Sequence, residues 1–487
     1  MLTARVTIPP VSPLDGHGNP ATGASEALGR YDTAVDLLLR LDAGAVGLAK
    51  GLRADEPDVP LGHVLWAYLA LTSTDRRWLP AAEDALASLR RLAGAGRQND
   101  RERAHTDAIT AWVAGDWHGA AARLDDLLLR WPTDVLALMM GHQLDFFLGD
   151  ARNLRDRVAR SIGAFDPAHP HHGLARGMLA FGLEGSGDLA AAELHGLAAL
   201  YRNADDVWAI HAVAHSYEEQ GRIDAGLAFL RAQEDRWGGD SLLTVHVAWH
   251  HTLYLLEAGR HDEALAAYDA RIHHLRSAGV PLEMLDAAAL LWRLRLDGVD
   301  TGDRFARLAD AWADRLDDEP WYAFNDVHLV IALAGAGRTD EARAHVDRLA
   351  AFVAGAGPGP AGSERVGSNV RMTAEAGLPA CRGLLAFAEG RPGDAVDVLL
   401  PARARLHVMG GSHAQRDVVQ RTLVDAALAA GRLDLARALL SERLTRRPTS
   451  TYALDRQAEL LRRRGDATAA AAVEATAAAH RTRLQSA

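Results

Sequence analysis

The chain has 487 residues, 48% apolar and 24% charged, with a net charge of −11. It is too long for one ordinary compact domain and too apolar for a disordered chain. A single cysteine, Cys381, excludes an intramolecular disulfide and a Cys-rich zinc site, and a single lysine, Lys50, at an ordinary amphipathic helix end, leaves Schiff-base chemistry without a plausible amine. No basic block is present, so a nucleic-acid partner is not expected. No run approaches 18 apolar residues, which predicts no membrane span and no membrane partner. The N-terminus lacks the charged-then-apolar pattern of a secretory signal, so a cytoplasmic setting is expected. Phosphate loops of the GK[ST] type and G-x-S-x-G elbows are absent.

Residues 1–24, with Pro9, Pro10, Pro13 and Pro20, read as an extended arm suited to covering an open end of the structure that follows. From 25 to 487 apolar residues recur at helical spacing, as in AAARLDDLLL (120–129) and HDEALAAYDA (261–270). The helices end on glycines: Gly115, Gly149, Gly187, Gly221, Gly259, Gly298, Gly337, Gly390, Gly431 and Gly465. Their spacings are 34, 38, 34, 38, 39, 39, 53, 41 and 34 residues. A 34-residue helix–turn–helix period is that of the tetratricopeptide repeat (TPR). The prediction is an all-α, TPR-like solenoid of degenerate helix pairs over 25–487. It should be curled tightly around a central cavity, with a Gly/Pro loop at 354–368 in the 53-residue interval.

Histidines inside the apolar first helices carry the functional signal. Counted back from the stop glycines, His215 stands at 6, His250 and His328 at 9, His105 and His211 at 10 and His246 at 13. At 100° per residue these offsets share an arc about 100° wide. First helices line the inner wall of such a superhelix, so the arc is expected to face the concave groove. Trp208, also at 13, would form an aromatic wall there, and His142, at 7, lies just outside the arc. HAVAH (His211, His215) and HVAWH (His246, His250) are i, i+4 pairs in consecutive repeats, the geometry of helix-borne metal sites. Together with Glu218, Glu257 and Asp326 they suit a divalent transition metal, Zn, Fe or Cu; without metal they suit acid–base chemistry, with His328 and Asp326 in the catalytic set.

Two further segments qualify as ligand sites. In GGSHAQRDVVQRTLVDAAL (410–428), Ser412 reads as an N-cap, His413 and Asp417 could pair, and Arg416 beside a helix N-terminus suits an anion. FNDVH (324–328) places Asn325 and Asp326 at a helix start.

These segments, with GH (62–63), RERAH (101–105), ALMMGHQLDFFLG (137–149), RNLRDRVAR (152–160), WAIHAVAHSYEEQGR (208–222), HVAWHHTLYLLEAG (246–259) and RPTS (447–450), resemble the tetratricopeptide repeat protein 38 family along nearly the whole chain. The resemblance implies the solenoid fold and places the family's histidines on His63, His105, His142, His211, His215, His246, His250 and His328. The expected function is a His-lined concave pocket that binds a small molecule and converts it by histidine or metal chemistry. The alternative is a scaffold that binds a peptide or protein partner in the groove, or a second copy of the chain.

Overall fold

The computed structural model describes residues 13–239, 241–274, 277, 279–356 and 367–485. The arm is therefore described from Pro13 onward, and most of the predicted loop at 354–368 lies outside the described residues. Among the described residues the secondary structure is helical, with only two isolated β-bridges.

All ten stop glycines take left-handed backbone angles, φ from +67° to +86°, which an L side chain resists. Each separates the two helices of a pair. The pairs that build the site are His172–Gly185 with Leu189–Arg202, Val207–Glu219 with Ile223–Ala232, Thr244–Glu257 with His261–Ala267, and Pro281–Leu296 with Arg304–Trp312. Where Asp follows the glycine it caps the second helix: Asp116 accepts from the Gly119 N–H, Asp150 from Asn153 and Asp188 from Ala191. Among the described residues no helix is long and apolar enough to cross a membrane.

Second helices are buried on one side only; Trp117–Arg130 buries Trp117, Ala120, Ala121, Leu124, Leu127 and Leu128. First helices are enclosed to different degrees: Asp100–Val113 leaves Arg103 and Asp107 exposed, while Val207–Glu219 is enclosed nearly all round. Every residue from Val207 to Glu218 is buried, a pattern that a helix lining an open groove would not show. The reason is long-range stacking. Contacts recur at sequence separations of 228 to 251 residues: Arg76 with Glu319, Asn325 with Thr74, Trp117 with Ser368, His413 with Gly185 and Arg447 with Glu219. The second superhelical turn thus sits on the first. Opposite walls also touch. Trp292 Nε1–H donates to Thr422 Oγ1 (2.9 Å) and Arg293 donates to the Ala414 carbonyl (2.6 Å), joining Pro281–Leu296 to the helix His413–Ala429. At this level the expected central cavity is filled by the chain's own helices.

The arm lies along the helix Asp100–Val113. Asp15 pairs with the buried Arg101 (2.7 Å), and the Thr22 N–H donates to Glu102 Oε1 (2.7 Å).

Candidate functional site

Four of the predicted histidines converge. His211 and His215 project from Val207–Glu219, and His246 and His250 from Thr244–Glu257. Each i, i+4 spacing puts two rings on one face, and consecutive first helices bring those faces together. One nitrogen from each ring lies within 4.8 Å of the others. Ring centroids are 4.5 Å apart for His211–His215, 4.8 Å for His246–His250 and 4.1 Å for His215–His250. Trp208 meets His211 edge-on at 6.0 Å, and Trp249 stacks on His246 at 5.4 Å.

Carboxylates orient the rings from outside. His250 Nδ1–H donates to Glu218 Oε2 (2.9 Å), and His246 Nδ1–H donates to Asp286 Oδ2 (2.7 Å). His215 Nδ1 lies 3.7 Å from Glu184 Oε1. With Nδ1 of His246 and His250 so engaged, Nε2 of each is left as the lone-pair nitrogen. His250 Nε2 and both nitrogens of His211 and His215 are buried without a hydrogen-bond partner among the described residues. An unpaired buried polar atom costs about 1–3 kcal/mol, and five of them in one cluster call for an explanation.

Two of the four rings are held neutral and one is not. Burial, then repulsion from His215 and His246, pushes His211 well below the ordinary histidine range; burial and the other three rings do the same to His250. Burial opposes charge on His215 as well, yet Glu184, with Glu218 and Glu219 behind it, prevails and holds that ring up. Burial raises Glu218 to about 7.

The remaining predicted residues go elsewhere. His105 has both nitrogens engaged, with the Tyr68 hydroxyl (3.0 Å) and Asp134 Oδ2 (2.9 Å). His63 meets Arg53 and the Pro57 carbonyl, His142 the Met178 carbonyl (3.1 Å), and His328 the Phe324 carbonyl (2.8 Å). The predicted carboxylates divide. Glu218 belongs to the cluster, but Glu257 accepts from Arg421 and from the Thr451 N–H, and Asp326 accepts from His345 (3.0 Å). Asn325 does not cap its helix; its amide donates to the Thr74 carbonyl and hydroxyl. Ser412 is an N-cap, in a capping box with Gln415. The His413–Asp417 pair does not form: Asp417 takes Arg421 (2.9 Å) and Arg443 (2.6 Å), while His413 meets the Gly185 carbonyl. Arg416 is turned inward onto the carbonyls of Gly410 and Gly411, so the predicted anion donor is spent on the backbone.

Sequence reasoning missed Glu184 and Asp286. A signal for Glu184 was present: like Glu218, it stands three residues before its stop glycine. Asp286 is a buried acid in the largely apolar helix Pro281–Leu296, and only the packing of the next repeat delivers it to His246.

No protein-family profile matches the chain. Solved structures similar to it are TPR solenoids. A tetratricopeptide repeat protein from Parabacteroides merdae is 14% identical, over 62% of this chain and 99% of that one, with a TM-score of 0.33. A monomeric mutant of IFIT1 with Gppp-AAAA is 13% identical over 94% and 95%, TM-score 0.41, and the Cut9–Hcn1 hetero-tetramer 12% over 94% and 96%, TM-score 0.33. At this identity the likeness bears on the fold alone, and the chain is a TPR-like α-solenoid. One expectation is corrected. Human IFIT1, 13% identical over 96% of this chain and 95% of that one with a TM-score of 0.38, is solved as a dimer with m7Gppp-AAAA, a nucleic acid. The whole-chain charge that was read as excluding one averages over every face of the solenoid and does not carry that exclusion.

Proposed function

We propose that the protein is a TPR-like interaction scaffold whose curvature is locked by a buried transition-metal centre of His211, His215, His246 and His250. The observation that carries this reading is the convergence of four imidazoles, three of them with orphaned nitrogens, inside a carboxylate shell. Histidine nitrogens backed by carboxylates through Nδ1–H are the usual outer shell of a metal-bound imidazole. Nitrogen donors suit Zn, Fe or Cu; a tetrahedral ion at about 2.0–2.1 Å from each nitrogen sets the nitrogens about 3.3 Å apart, so rings now within 4.8 Å of one another must close inward on binding. A set of four protein ligands leaves no open position, so the ion's role is to clamp consecutive repeats. Burial of three of the rings at 0–3% exposure likewise favours a clamp over a small-molecule pocket with acid–base catalysis. The resemblance to the tetratricopeptide repeat protein 38 family enters as part of this proposal: four of the eight histidines it places form the cluster. A cytoplasmic setting accords with a single buried thiol, Cys381, which burial pushes up.

Leu194, Leu197 and Tyr201 of the helix Leu189–Arg202 are 66%, 41% and 94% exposed, and their i, i+3, i+7 spacing forms one apolar stripe. Elemental analysis of protein grown with Zn, Fe and Cu tests the centre. The expectation is about one ion bound per chain at the cluster, lost in His211→Gln/His250→Gln. Metal-free protein with a melting point unmoved by any of the three ions overturns it. Glu218→Gln, which spares all four rings, covers the case in which the double variant does not fold.

A further inference from the structure

A second imidazole group lies outside this centre, where three segments distant in sequence meet. The arm brings His17, the helix Ser25–Leu39 brings Asp32 and Asp36, and the turn before His172–Gly185 brings His169 and His171. One nitrogen from each of the three histidines lies within 4.8 Å of the other two. Ring centroids are 4.5 Å apart for His17–His171 and 5.3 Å for His169–His171. Three buried atoms here have no hydrogen-bond partner among the described residues: His17 Nε2, His171 Nδ1 and Asp32 Oδ1. His17 Nε2 and Asp32 Oδ1 face each other at 3.7 Å.

The neighbours hold these atoms in place. The Gly16 N–H donates to Asp32 Oδ2 (2.8 Å), which turns Oδ1 toward His17. His171 Nε2–H donates to Asp36 Oδ1 (2.6 Å), which leaves Nδ1 as the lone-pair nitrogen. His169 Nδ1 accepts from the His171 backbone N–H (3.2 Å), a bond that ligation would exchange for one to an ion. Elsewhere in the arm Asp15 takes Arg101 and the backbone N–H groups of His17 and Asn19, while Asn19 Nδ2 stays without a partner among the described residues. What sets the histidine end apart is its donor set, three imidazoles and a carboxylate, the composition of a zinc-class site.

We propose that His17, Asp32, His169 and His171 bind a divalent transition metal, with Asp36 orienting His171, and that the ion fastens the arm to the solenoid. No residue is shared with the four-histidine centre, so either site can fail alone. The test titrates metal-free full-length protein with Zn2+ alone and reads bound metal by elemental analysis. It also reads hydrogen exchange across residues 13–24. Wild type should bind one more equivalent than His17→Ala/His171→Ala, and its arm exchange should slow at least tenfold on Zn2+ addition, with no such slowing in the variant. His211→Gln/His250→Gln should keep the arm response while losing the other ion. His17→Ala alone, in a segment at the chain's edge, serves if the double variant misfolds, with binding at least tenfold weaker. Equal stoichiometry in wild type and the His17 variants, or arm exchange indifferent to Zn2+, overturns the proposal.

Discussion

His105 and His211 stand at the same offset from their stop glycines, and both are buried, at 0% and 3% exposure. Their surroundings are opposite. His105 sits in a closed network in which Asp134 Oδ2 accepts from its Nε2–H and from Arg101 Nε, Tyr68 meets Nδ1, and Asp15 takes the rest of the guanidinium. His211 meets three other imidazoles, and neither of its nitrogens has a hydrogen-bond partner among the described residues. A saturated polar network fixes structure; an unsaturated one marks a place built for something else. One helical position therefore serves two purposes, and what separates them is whether the neighbouring repeat supplies a partner.

The largest expected effect breaks the saturated side. Asp134→Ala removes the shared acceptor of Arg101 and His105 and also the cap of Val135–Leu148, where Asp134 Oδ1 accepts from the Ala137 N–H. Arg101 keeps Asp15 but loses its second carboxylate, so with the lost cap the cost should approach that of a broken buried pair, about 3–5 kcal/mol, read as a lower urea midpoint. Asp134→Asn, which keeps an acceptor for the cap, should cost less. On the unsaturated side the sign changes with metal. Removing a histidine from metal-free protein also removes an orphaned nitrogen, so His211→Gln should cost less there than Asp134→Ala. With the ion at 100 times its dissociation constant, wild type should gain about 2.7 kcal/mol more than the variant, which keeps only the arm site. Equal gains in both would remove the distinction between the two regions.

A smaller effect sharpens the role of the carboxylate shell. Glu218→Gln and Asp286→Asn leave all four rings in place but weaken the acceptors of the His250 and His246 Nδ1–H groups. Metal affinity should fall about 10–100-fold in each. Glu257→Gln, altering a carboxylate bonded to Arg421 and Thr451, should leave affinity unchanged while lowering stability.

The helix pairs were legible because a left-handed stop is a local demand that glycine meets, and all ten marked glycines meet it. The convergence of HAVAH with HVAWH was legible for the same reason: i, i+4 spacing in adjacent repeats is local geometry. The filled groove was not legible. It depends on contacts such as Arg447 with Glu219 and Arg293 with Ala414, 228 and 121 residues apart, which leave no trace in local periodicity. Read from the sequence, Arg416 is an anion donor and Asp417 the partner of His413, but near neighbours engage them instead: the Gly410 and Gly411 carbonyls take Arg416, and Arg421 and Arg443 take Asp417. His17, His169 and His171 escaped notice because they lie in an arm and a turn, outside the helical register that exposed the others.

His142 offers the finest test, because it lies beside the predicted arc and resembles His105 in being satisfied. Its Nε2–H donates to the Met178 carbonyl, and burial holds it at about 3, well below its ordinary 6.5. The folded value lies below the unfolded one, so the unfolded chain takes up the proton first as pH falls. Stability from this ring is complete above pH 6.5 and is lost as pH drops toward 3, by about 1.4 kcal/mol per unit. His142→Gln keeps a donor for Met178 and does not titrate. The difference in unfolding free energy between wild type and this variant should therefore be flat from pH 8 to about 6.5 and then move in the variant's favour. A difference constant down to pH 5 would mean that the His142 ring is open to water, and that the first helices face a wet groove after all.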